Sequence, residues 1–121
     1  MIPEEKMVQL AKALLEKTRN HEANWRPDPL YDLSYILQLP GSRIRVAMER
    51  MPDVPDRVPT FTLTDLNDVT VGVLEARDPA IGMIVANLYQ QASKVATRWD
   101  KVLEEVETAL NQKGLIGSTG K

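Results

Sequence analysis

Apolar residues first recur at helical spacing. Met7, Leu10, Ala11, Leu14 and Leu15 fall on one side of a helix, while Glu4, Lys6, Lys12 and Glu16 stay polar. Pro3, Glu4 and Glu5 open it, because proline suits a first turn and acids complement the positive end of the helix dipole. The spacing predicts a helix to about Arg19 with Asn20 as its exit, and the two prolines of "RPDP" forbid continuation.

The period then falls to two. In "DLSYILQL" Leu33, Tyr35, Leu37 and Leu39 alternate with Asp32, Ser34, Ile36 and Gln38. In "SRIRVAME" Ile44, Val46 and Met48 alternate with Arg43, Arg45, Ala47 and Glu49. Between them "PGS" supplies turn chemistry, proline fixing φ and Gly41 accepting a positive one. These runs predict a hairpin with one wet face. "RMPDVPDRVP" predicts a surface loop. "TFTLTD" and "VTVGVLE" predict a second hairpin around Asn67-Asp68. Phe61 and Leu63 are expected on one face of its first strand. Val69, Val71 and Val73 are expected on one face of its second, with Gly72 as a bulge.

"RDPAIG" opens the last element, with Asp78 as cap and Pro79 at the first helical position. Ile81, Val85, Leu88, Ala92, Val95, Trp99, Val102, Val106 and Ala109 follow at spacings of four and three. Gly114 closes the run and "LIGSTGK" predicts a tail. The expected fold is α+β: an N-terminal helix, a four-stranded antiparallel meander of two hairpins, and a long or bent C-terminal helix on one face. One domain is expected over 1–113, with a flexible tail over 114–121.

Length constrains that last helix. From Pro79 to Gln112 it would span ~51 Å at ~1.5 Å per residue. A compact chain of this size is about 35 Å across. Either the helix breaks, or it projects and finds a partner. Thr97-Arg98-Trp99-Asp100 has the form of a capping box and makes a break the favoured expectation. The four-three spacing equally suits a coiled-coil seam.

Several short motifs resemble those of a group of small bacterial α-β-β-β-β-α domains, mostly uncharacterised in role. They are "LLEKTR" at 14–19, Trp25 before the first strand, "LY" at Leu88–Tyr89, Ala92, and "WDKVLEEV" at 99–106. The likeness spans most of the chain and implies the fold just given, with no activity or functional residue attached. The chain departs from the pattern in a longer "MPDVPDRVP" loop and in "QQASKVAT", which replaces a more basic stretch.

Composition narrows the chemistry. Apolar residues make up 43% and charged residues 26% of 121, ordinary for a globular domain. Cysteine is absent, which excludes disulfides, thiolate metal sites and cysteine nucleophiles. Net charge is −2 with both signs well mixed, so no nucleic-acid partner is expected. "MIPEEKMVQL" places acids where a signal peptide needs basic residues, and no apolar run approaches a membrane span. A cytoplasmic protein without a membrane partner is expected.

Candidate reactive groups are few. His21 is the lone histidine, and zinc needs three or four ligands, so it reads as a helix-end residue. Trp25 is expected to seal an edge of the core, with a ligand-stacking role beside Tyr31 as the alternative. Arg43 and Arg45 share one face of a strand, near Arg50 and Arg57, and could grip a phosphate or an acidic peptide. Their ordinary use is to keep a wet sheet face soluble. The carboxylates Glu104, Glu105 and Glu107 read as a solvated helix side, and Asp65 and Asp68 as turn residues. No phosphate loop, nucleophile elbow or His-x-x-x-His helix occurs. No catalytic residue, cofactor or metal is expected.

Two functional classes follow. One is an interaction module that binds a protein partner, or itself as a homodimer, through the C-terminal helix or the sheet. Val85, Val95, Trp99, Val102, Val106, Arg43 and Arg45 are its expected interface. The other is a small-molecule binder or enzyme with an apolar pocket near Trp25, Tyr35 and Trp99.

Overall fold

The structure, a computed structural model, describes residues 1–76, 78–112 and 114, with residues 99 and 100 described through their backbone alone. Of the expected tail over 114–121, residues 115–121 lie outside the described residues. Helix α1 (Glu4–Arg19) is followed by strands β1 (Arg26–Pro27), β2 (Ser34–Gln38), β3 (Ser42–Arg50), β4 (Arg57–Asp65) and β5 (Thr70–Glu75). Helix α2 (Pro79–Asn111) follows β5. The strands form one antiparallel meander in sequence order. The fold is α+β, with five strands among the described residues rather than the expected four. The additional strand is two residues long, pairing Arg26 with Ile36 and Pro27 with Tyr35, too short to show an alternation in sequence.

Both helices pack on one sheet face. There Val46, Phe61 and Leu74 lie side by side across β3, β4 and β5, and all three are buried. Met7, Ala11 and Leu15 of α1 and Val85, Leu88, Ala92 and Ala96 of α2 complete the core, with Trp25 at its centre. Arg43 and Arg45, one residue out of phase with Ile44 and Val46, occupy the opposite face.

The expected register needs three corrections. The bulge residue is Val71: Leu63 pairs with Gly72 and Thr64 with Thr70, so Val71 has no opposite number. Its carbonyl instead accepts from the Ile2 amide at 2.7 Å. The core face of β5 is therefore Gly72 and Leu74, not the valines, and Val69 is exposed. A Cβ at Gly72 would overlap Met7 Sδ, so glycine there makes room for α1. Leu33 precedes β2 with a left-handed φ of 53°, which turns it away from the core to an exposed position. Finally, β4 begins inside the expected loop, at Arg57. Pro59 is tolerated because β5 ends opposite Thr60, leaving Pro59 a free flank on that side.

The two turns differ. Asp68 takes the expected left-handed conformation at φ 61°, but Gly41 has no positive φ. Asp65 closes the second turn by accepting the amides of Asn67 and Val69 on its side chain, at 2.8 and 3.0 Å.

Helix α2 is capped by Asp78, whose side chain accepts from the Ala80 amide at 2.8 Å, with Pro79 next in the first turn. The favoured break near Thr97 does not occur; the helix is continuous to Asn111. "QQASKVATRWDKVLEEV" contains neither glycine nor proline, so nothing forces the backbone out of its hydrogen-bonded ladder. Of the capping box, the Asp100 side chain lies outside the described residues.

Candidate interaction surface

The stretch "NHEANWRPDPLYD" is a connector with two built parts. The first ends α1. The Glu22 amide donates to the Lys17 carbonyl at 2.9 Å and the His21 amide to the Thr18 carbonyl at 3.1 Å, a Schellman closure with His21 left-handed at φ 61°. Trp25, fully buried, donates Nε1–H to Thr18 Oγ1 at 2.9 Å, and that hydroxyl donates to the Leu14 carbonyl at 2.7 Å. The indole edge is thus committed to α1.

The second part is Asp28, which the sequence reading overlooked. Its side chain is 3% exposed. It accepts from the Leu30 amide and from Ser34 Oγ, both at 2.9 Å, and its own amide donates to the Ser34 carbonyl. An aspartate two residues before an amide that it caps is a local turn signature, legible in "DPL". Arg45 Nε stands 3.1 Å from Asp28 Oδ2 as an ion pair. Its N–H direction misses the oxygen, so among the described residues Nε makes no hydrogen bond. The guanidinium also lies 5.4 Å from the Tyr31 ring centre.

Leu30, Tyr31, Ser34 and Arg45 border a cleft of about 650 Å³ that also reaches Arg50 and Arg57. Glu49 and Asp32 line it too, so its charge is mixed. Arg43 stands apart, with Nε donating to Gln38 at 3.0 Å and Nη1 paired with Asp68 at 3.3 Å. Arg43 and Arg45 therefore serve turns and loops of their own sheet face, opposite to α2.

On the helix side Tyr35 and Tyr89 meet with ring centres 5.5 Å apart and planes tilted by 53°, and Ser93 Oγ donates to Tyr35 Oη at 3.2 Å. Burial pushes the Tyr89 phenol up to about 12. The Tyr35 oxygen and a hydrogen bond with it push the same way, against Arg57.

The interface residues expected on α2 divide into two groups. Val85 has no exposed surface and serves the core, and Val95 is half-buried against it. Val102 and Val106 are 55% and 49% exposed, and Leu103 and Leu110 beside them 39% and 62%. The Trp99 side chain lies outside the described residues. From Arg98 to Asn111 every side chain described is exposed except half-buried Ala109. This is about four turns, roughly 21 Å of helix. Val102, Leu103, Val106 and Leu110 form its apolar stripe, with Lys101, Glu104 and Glu107 on other sides.

Fold and surface together define an α+β helix-on-sheet domain whose last helix outruns its own core. No family model, curated protein or solved structure matches this chain. Among the described residues no helix is long and apolar enough to cross a membrane.

Proposed function

We propose that the chain is a protein-interaction module that engages a helical partner through the projecting end of α2. The observation that carries this reading is the stripe of Val102, Leu103, Val106 and Leu110 on a helix that continues past its own sheet. Single exposed apolar residues are ordinary, but four on one side of an otherwise charged helix form a surface shaped for another helix. Burying a valine or leucine fully is favourable by ~1.5–3 kcal/mol. An isolated helix this short is marginal in water, so a covering partner also stabilises the helix itself.

Site-directed photocrosslinking in the cells that make the protein tests this. A benzophenone side chain at Leu103 or Leu110 is expected to give discrete protein adducts, one at Glu104 to give few, and Val102→Glu to abolish them. Adducts to another protein or to a second copy both support the reading. Equal labelling from all three positions, or none from the stripe, would overturn it.

A further inference from the structure

Resting on that reading, we infer that the partner is a second copy of this chain, its α2 end lying antiparallel, with Arg98 and Glu105 fixing the register. The four-three spacing places Val95, Val102 and Ala109 at one seam position and residues 99 and 106 at the other. Arg98 and Glu105 each immediately precede a residue of the second kind, one heptad apart on the same flank of the stripe. Both are exposed, and neither forms an ion pair among the described residues.

In an antiparallel pair each seam position faces the other kind. Setting Val95 against the partner's Val106 sets residue 99 against the partner's Val102, and two-fold symmetry repeats both layers. This register puts Arg98 beside the partner's Glu105 and Glu105 beside the partner's Arg98. Sliding by one heptad in one direction sets Glu105 against the partner's Glu105. Sliding in the other sets Arg98 against the partner's Arg98. Both shifts replace attraction with like-charge contact. A parallel pair would instead direct Arg98 and Glu105 at the partner's Leu103 and Leu110, where no charge answers them.

Ala92 and Ala96 are buried in their own core, so the side of α2 that they occupy is closed to a partner helix. The chosen register ends its layers at Val95, where the helix leaves the body. It brings the partner's residues 103–106 level with a shallow recess bordered by Ala23, Asn24, Val95 and Arg98. The overlap, residues 95–106, is about 18 Å long, which suits a reversible dimer rather than an obligate one.

The test is a charge swap on the full purified chain, followed by sedimentation across a range of concentrations. Wild type is expected to move from one chain's mass to two. Arg98→Glu alone and Glu105→Arg alone each turn both symmetric pairs repulsive, and each is expected to raise the dimer dissociation constant roughly tenfold or more at low salt. Mixing the two single variants recreates both attractive pairs in a heterodimer, and R98E/E105R recreates them in a homodimer. Both are expected to regain wild-type affinity. Circular dichroism shows whether each variant keeps its fold. A wild type that stays monomeric overturns the inference. So does a dimer indifferent to the single swaps, or one that the mixture fails to restore. Seam-dependent crosslinks to a different protein alongside a monomeric purified chain would leave the proposed function standing while removing this one.

Discussion

Thr18→Val isolates the contact that locks the connector to α1. Thr18 and Trp25 are both buried, and the hydroxyl accepts the indole N–H at 2.9 Å. Valine keeps the shape of threonine but offers no oxygen, so the indole N–H is left in the core without an acceptor. The Leu14 carbonyl also loses a donor, though as a helix carbonyl it keeps its ladder bond. An unmet buried donor costs about 1–3 kcal/mol, which centres the expectation near 2 kcal/mol. With an unfolding entropy of about 2.1 cal/mol/K per residue, that lowers Tm by roughly 8 °C. Urea denaturation followed by circular dichroism measures it. Thr18→Ser keeps the oxygen and loses a methyl group, for about 1 kcal/mol. In a Trp25→Phe background no N–H remains, so adding Thr18→Val is expected to cost only a few tenths of a kcal/mol. Thr18→Ser proving worse than Thr18→Val, or an undiminished valine penalty beside Phe at 25, would refute the role given to this hydrogen bond.

His21→Gly is expected to stabilise the protein by about 0.5–1 kcal/mol. The left-handed conformation costs a residue with a Cβ ~1–2 kcal/mol, and the larger freedom of glycine in the unfolded chain offsets part of the gain; a lower melting temperature would contradict the Schellman assignment. Tyr89 sets an alkaline limit. Its phenol is raised from 10.0 to about 12 on folding, so the folded state holds the proton more tightly; the associated stability is complete below about pH 10 and is lost as pH rises towards 12. Tyr89→Phe is expected to flatten that part of the stability–pH curve, and a curve parallel to wild type would rule the linkage out.

What the sequence made legible follows from how far each signal reaches. Most of the α1 stripe and the in-phase positions Ile44, Val46 and Phe61 concern long elements and reappear as core, although Leu10 is exposed and Ala47 and Thr60 are buried on the face expected to be wet. A two-residue strand carries no period, so β1 is set by its pairing with β2. The faces of β5 reversed because one unpaired residue, Val71, shifts the strand's phase where the N-terminal segment claims its carbonyl, a contact between residues far apart in sequence. Asp28 escaped notice because its value comes from burial beneath the loop it organises, which its own sequence neighbourhood only half reveals.

The projecting helix was legible as a pair of alternatives, and the pattern of burial along α2 shows why the seam alone could not choose between them. Val85, Leu88, Ala92 and Ala96 are buried at spacings of three, four and four. That is an eleven-residue advance over three turns, close to the natural winding of a straight helix against a sheet. The four-three series of Ile81, Val85, Leu88, Ala92, Val95, residue 99, Val102 and Val106 runs through the same stretch, so it shares Val85, Leu88 and Ala92 with the core stripe. The two stripes part at Val95 and Ala96, one half-buried and one wholly so, where α2 leaves its own body. A helix serving only its own sheet would have turned polar at its exposed end. This one keeps Val102, Leu103, Val106 and Leu110 past the point where the domain ceases to cover it.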